Sequence, residues 1–225
     1  MIELDKEGSV YILRMRCGEN RFNAESLAAL GKALDTVEQD EAAGALVTTG
    51  EGKFYSNGLD LDAMMQDASV AREVADGTQR LLARVLTLPM ITVAACNGHA
   101  FAAGAMLALA HDFRVMREDR GWFCLPEVDI KIPFTPFMDA MIRGALPTVT
   151  AHEAMVTGKR YPGPEAVARG IAHLTAAEDR VLPSAVELAG AHAGKQRETL
   201  GAIKRMKSAD ALGKLDGPGA LGALG

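Results

Sequence analysis

The apolar positions of this chain fall into two alternating patterns, short continuous runs and stretches spaced three and four apart, which together read as an α/β fold with a largely parallel sheet. Residues 10–15 (VYILRM) are rich in β-formers and alternate in part, so they predict a strand near a sheet edge, where the sheet begins. Leu27, Leu30, Leu34 and Val37 share one face of a helix over residues 26–37, and the run 44–50 closed by glycine predicts a buried parallel strand that completes a βαβ unit. After an aperiodic loop at 51–60, Val74, Leu81, Leu82 and Val85 restore helical spacing over 70–86, and Pro89 stops that helix. Residues 90–96 predict another buried strand, the small residues after it a tight turn, and 105–110 the start of a helix. Residues 112–116 and 122–125 predict two further strands, and 126–139 a turn followed by a helix with proline in its first position.

From Thr148 onward the spacing is helical. Thr150 and Glu153 stand at capping-box spacing, and residues 183–192 and 197–212 predict two helices joined near Gly194. The expected division is an α/β core over 1–147, a helical region over 148–212 and a flexible glycine-rich tail over 213–225, with no internal repeat.

Composition narrows the function. At 225 residues and 48% hydrophobic content the chain can bury one large core. Its 29 acidic and 24 basic residues give a net charge of -5 with the signs scattered, so no basic face exists for nucleic acid, and a small anion needs only a local cation cluster. The three cysteines, Cys17, Cys96 and Cys124, are odd in number and lack metal-ligand spacing, which argues against a disulfide framework and for a reducing cytoplasm. The charged first residues are unlike a secretory signal, and no apolar run reaches the roughly 18 residues of a membrane span. The five histidines lack zinc-type spacing, so neither a metal nor a separate cofactor is expected.

Three stretches could carry chemistry. Residues 97–109 (NGHAFAAGAMLAL) lead from a strand into a helix through glycine and alanine, leaving the first helical amides unpaired and open to a substrate oxygen past Ala102, Ala103 and Gly104. Taken alone, the stretch equally describes a helix packed closely on a strand. In residues 53–61 (KFYSNGLDL), Asn57 and Gly58 favour positive φ and would turn the Leu59 amide toward the same crevice, although an ordinary strand-to-helix loop reads the same way. In residues 122–130 (WFCLPEVDI), Glu127 follows a proline within apolar sequence. Burial there would raise its pKa toward neutrality and suit it as a base, and a capping or ion-paired carboxylate fits the same residues.

In this order and spacing, KFYSNGLDL, NGHAFAAG and LPEVD resemble the crotonase superfamily, also called the enoyl-CoA hydratase/isomerase family, over nearly the whole chain. The resemblance implies a crotonase-like (ββα)n spiral with a helical C-terminal region. It further implies that the N–H groups of Leu59 and Ala103 hold the thioester oxygen of an acyl-CoA substrate and that Glu127 is the base. Phe22, Asn57, Gly58, Asp60, Gly104 and Met106 would surround the substrate, and Arg21 is the favoured cation for the CoA phosphates, ahead of Lys204 and Lys207. CoA is then part of the substrate. Ala103 stands where many relatives have glycine, which leaves its main-chain donor intact.

Hydratases of the family carry glutamate where this chain has Met106. Hydration needs two carboxylates around a water, whereas shifting a double bond needs one base, so the chain looks like an isomerase converting 3-enoyl-CoA to 2-enoyl-CoA. It is similar to the peroxisomal delta-3-delta-2-enoyl-CoA isomerases and lacks their peroxisomal tail. Another acyl-CoA chemistry on the same scaffold (hydratase, thioesterase or decarboxylase) and a non-catalytic acyl-CoA-binding subunit remain alternatives. The resemblance implies a homotrimer or a hexamer made of two trimers, and the apolar stripe of residues 148–212 would need such a cover.

Overall fold

The structure, a computed structural model, describes residues 1–65 and 67–215. The chain runs through β1 (Ile2–Glu7), β2 (Val10–Met15), α1 (Ala24–Gln39), β3 (Ala45–Gly50), β4 (Phe54–Ser56), the short α2 (Leu61–Met64), α3 (Ala68–Thr87), β5 (Ile91–Cys96) and β6 (His99–Phe101). It continues through α4 (Ala103–Ala110), β7 (Phe113–Arg117), β8 (Trp122–Cys124), α5 (Glu127–Ile130), α6 (Pro136–Ala145) and α7 (Thr148–Thr157). The last elements are β9 (Tyr161–Pro162), α8 (Gly163–Ala168), β10 (Leu174–Ala176), α9 (Val181–His192), α10 (Arg197–Lys207) and α11 (Ala209–Leu212).

Two sheets result. The larger has the order β1-β2-β3-β5-β7-β10 and the smaller β4-β6-β8-β9. From β2 to β10 the larger sheet is parallel, and β1 joins it antiparallel. Three of the parallel strands are each followed by one in the smaller sheet and then a helix: β3–β4–α3, β5–β6–α4, β7–β8–α6. These are successive turns of the (ββα)n spiral, and they bring the ends of β4, β6 and β8 side by side.

The continuous apolar runs follow from burial on both faces of the large sheet. Leu46 of β3 and Ala94 and Cys96 of β5 join the main core, while Val47, Val93 and Ala95 face a second core closed by Val181, Ala185 and Ala189 of α9. Helix α4 is apolar all round because every one of its residues is buried, which sets it at the centre of the spiral.

Several expectations change. Residues 10–15 form a strand near the edge, as expected, but the sheet begins one strand earlier, because β1 lies outside them. Its apolar Ile2 and Leu4 pack partly against the core while Glu3 and Asp5 pair with Arg16 and Arg14 across the two strands, so its charged character hid an alternating edge strand. Helix α4 starts at Ala103 and not Ala105. The capping box at Thr150 does not form, since α7 begins after Pro147; the Thr150 hydroxyl donates to Arg169 O and Glu153 accepts from the Tyr161 hydroxyl. Residues 148–212 are not wholly helical: β9 and β10 extend the two sheets, and the helix expected over 197–212 breaks at Ser208. Of the tail, residues 213–215 continue in a turn with Leu215 against the main core, and residues 216–225 lie outside the described residues.

One buried cation ties α4 to the C-terminal half. Arg114 on β7 is 5% exposed and donates to Ile171 O at 2.5 Å, His111 O at 2.9 Å and Ala108 O at 3.4 Å. Burial lowers its proton affinity to about 10, still cationic at neutral pH. Arg114→Met keeps much of the volume and leaves those carbonyls without their donor, so it is expected to destabilise the fold by about 3 kcal/mol. Thermal unfolding checks it; the melting temperature should fall by roughly 6–12 °C.

Candidate active site

The site is assembled where the end of β4 meets the start of α4. Phe22 N donates to Gly58 O at 2.7 Å and Asp60 N donates to Phe22 O at 2.9 Å, a short parallel bridge centred on Leu59. In extended backbone successive N–H groups point to opposite sides, so with Asp60 N turned toward Phe22, Leu59 N–H faces away from it. Among the described residues the Leu59 and Ala103 amides donate to no other group. Gly58 has φ +82°, and a Cβ there would lie 3.0 Å from Ala103 N, which measures how closely the two donor segments approach.

Ala102 carries the turn into α4 with φ 49° and ψ -126°, a conformation that costs an alanine about 1–3 kcal/mol and is held by Ala102 N donating to Cys124 O at 3.1 Å. The strain is confined to one residue. It leaves Ala103 at the first helical position, with an amide that the helix itself cannot pair. Gly104 lets α4 seat on β4, since any side chain there would overlap the Ser56 carbonyl.

Glu127 begins α5 immediately after Pro126 and is 6% exposed. Its Oε2 is buried without a hydrogen-bond partner among the described residues, and burial pushes the carboxyl up to about 7, countered only by its own backbone N–H. Leu59, Ala103, Met106, Glu127 and Met138 line one cavity of about 380 Å³, whose lining also includes the partly exposed Arg21 and Asn57 and the exposed Asp62. A larger open groove of about 810 Å³ between α1 and α3 contains none of these residues.

The residues singled out from the sequence divide into three groups. Leu59, Ala103, Met106, Glu127, Arg21 and Asn57 line the cavity. Phe22, Gly58, Asp60 and Gly104 shape it from behind: Phe22 is buried, and Asp60 caps α2 through Ala63 N. Lys204 and Lys207 lie elsewhere, on a separate cavity of about 260 Å³, where Lys204 is held by Asp112 at 2.8 Å. Sequence reasoning missed the far wall, Ile130, Ile132, Pro133, Thr135 and Met138. The available signal was Thr135-Pro136, an N-cap followed by proline at N1, which fixes where α6 starts and points Met138 inward. Among the described residues no group of three or more His, Cys, Asp or Glu could hold a metal ion, and no helix is long and apolar enough to cross a membrane.

The chain belongs to the enoyl-CoA hydratase/isomerase family, which it matches over residues 5–215. It is 35% identical over 207 residues to enoyl-CoA delta isomerase 2, peroxisomal, of Arabidopsis thaliana, covering 87% of this chain and 86% of that one. To enoyl-CoA delta isomerase 3 of the same plant it is 38% identical over 179 residues, 76% of this chain and 75% of the other. Among solved structures, the apo form of an enoyl-CoA isomerase from Mycobacterium tuberculosis superposes with a TM-score of 0.89 at 28% identity, covering 95% of this chain and 93% of that one.

The buried carboxyl carries a stability cost with a definite sign. Its folded pKa of about 7 lies above the ordinary 4.5, so the folded state holds the proton more tightly than the unfolded chain. Stability is then lost as pH rises from about 4.5 through about 7, by about 3 kcal/mol in full. Glu127→Gln carries no charge to bury. It should unfold at higher denaturant than wild type at pH 8 and at nearly the same concentration at pH 4.5, a comparison that urea melts at the two pH values make directly.

Proposed function

We propose that the protein is an enoyl-CoA isomerase that converts a 3-enoyl-CoA to the conjugated 2-enoyl-CoA. The observation that carries this reading is the single buried carboxylate: Glu127 shares its cavity with the thioether of Met106, and the other carboxylate in the lining among the described residues, Asp62, is exposed and paired with Arg21. The isomerase names of the similar plant proteins support it.

In the proposed mechanism the thioester oxygen accepts from Leu59 N–H and Ala103 N–H. Ionised Glu127 takes a proton from C2, the electron pair moves into the carbonyl, and the resulting dienolate carries its charge on the oxygen between the two amides. Each such donor is typically worth about 3 kcal/mol at the transition state. Protonated Glu127 then returns the proton to C4 as the double bond settles between C2 and C3. The carboxyl's buried setting favours both halves, because a pKa near neutrality costs little to deprotonate and little to reprotonate. Three free cysteines, two of them buried, fit a reducing compartment such as the cytoplasm. The working assembly is a homotrimer or hexamer, supported by exposed Val149, Val156, Ile203 and Met206 on α7 and α10.

Three outcomes test this. Glu127→Gln should bind CoA esters and lose at least about a hundredfold in conversion of 3-enoyl-CoA, read as the rise of conjugated-thioester absorbance. Near wild-type turnover would put the base elsewhere. Wild type should isomerise a short 3-enoyl-CoA far faster than it hydrates the 2-enoyl product, and Met106→Glu should raise the hydration-to-isomerisation ratio; equal rates in wild type would favour a hydratase. Light scattering should give a particle well above the 23.8 kDa of one chain, and a stable monomer across concentrations would refute the assembly.

A further inference from the structure

Among the described residues lining the cavity, Arg21 is the only cation, and its side chain is partly exposed. Its guanidinium is already occupied. Nε donates to Glu19 at 2.8 Å, Nη1 donates to Asp62 at 2.7 Å, and Asp60 lies 3.7 Å away. Three carboxylates surround one guanidinium, of which Asp62 lines the cavity with Arg21, and hydrogen bonds from Asn57 and Arg21 hold the Glu19 carboxyl below the usual range, hence ionised.

The two close carboxylates are held differently. Glu19 is fixed on both sides: its carboxylate also accepts from Asn57 Nδ2 at 2.9 Å, and its main-chain oxygen accepts from Asn57 N at 3.0 Å. Asp62 is 75% exposed, sits on the four-residue α2 and makes no other hydrogen bond among the described residues. An exposed pair of this kind contributes little to stability, so it exchanges at small cost.

A thioester that reaches Leu59 and Ala103 shares a cavity with the partly exposed Arg21 and the exposed Asp62, and the remainder of a CoA ester carries phosphates. We propose that Asp62 is an internal competitor for Arg21: on binding, the guanidinium keeps Glu19 and exchanges the Asp62 carboxylate for a CoA phosphate oxygen. The anionic ligand thereby opens a contact that the empty protein keeps closed, and Asp62 sets the affinity for the phosphate-bearing part of the substrate. This rests on the acyl-CoA reading above.

The test is CoA binding by calorimetry to wild type, Asp62→Asn, Arg21→Met and the double variant, with pantetheine, which lacks the phosphates, as control ligand. Asp62→Asn should tighten CoA by about threefold to fivefold at low salt, the worth of a partly exposed ion pair, and the gain should shrink at high salt. Tighter binding is an outcome that mere structural damage does not produce. Arg21→Met should weaken CoA, and in that background Asp62→Asn should gain less than half as much, the coupling expected of an exchange at one guanidinium. Pantetheine should bind wild type and Asp62→Asn alike. Wild type that binds CoA while Asp62→Asn leaves the affinity unchanged or weaker overturns the exchange and spares the acyl-CoA reading. An equal gain with or without Arg21, or with pantetheine, also overturns it. Wild type that does not bind CoA overturns both.

Discussion

The approach of the β4 loop to the first turn of α4 is the constraint on which the site depends. Main-chain amides can converge on one oxygen only if nothing larger than hydrogen stands between their segments. Gly58 and Gly104 meet that condition from the two sides: a Cβ on the first would crowd Ala103 N, and one on the second would enter the Ser56 carbonyl. The spiral supplies the rest, because parallel β4, β6 and β8 end together and deliver Leu59, Ala103 and Glu127 from three successive turns to one cavity. The Leu59 and Ala103 amides are fixed by backbone pairing of their neighbours to Phe22 and Cys124, so their positions do not depend on side-chain rotamers.

The same packing sets the electrostatics. Leu125 before Glu127 is fully buried, Met106 and Met138 face the cavity, and the carboxyl is left with an oxygen that no protein group satisfies. Such a group destabilises the fold once ionised, and its retention in an otherwise apolar wall is the pattern expected where function opposes stability. The strained Ala102 belongs to the same class, a local cost adjacent to an exposed amide.

Much of this geometry was legible in the sequence because it is set by neighbours along the chain. An unpaired amide needs small residues beside it, and NGHAFAAG and YSNGLD state that locally; a buried carboxyl needs apolar flanks, and FCLPEVDI states that too. The runs that became β3 and β5 were equally plain, since a strand covered on both faces has no solvent-facing positions that call for charged residues. What escaped depends on distant partners. β1 alternates charged and apolar residues and is a strand only because β2 pairs with it; β9 and β10 are two and three residues long. Arg21 reads as a free cation until the fold brings up Asp62 from 41 residues away. The far wall of the cavity was legible only as a helix start at Thr135-Pro136, because α6 reaches the site through tertiary packing.

The central claim is that one buried carboxyl, titrating near neutrality, is the base. The dependence of kcat/KM on pH for 3-enoyl-CoA isomerisation reports the ionisation of the free enzyme, the state in which Glu127 has its pKa of about 7. The account predicts a rate that climbs tenfold per pH unit on the acid side and levels off with a midpoint within about one unit of 7. A profile flat from pH 5 to 9, or one with its midpoint near the ordinary carboxyl value of 4.5, would contradict it.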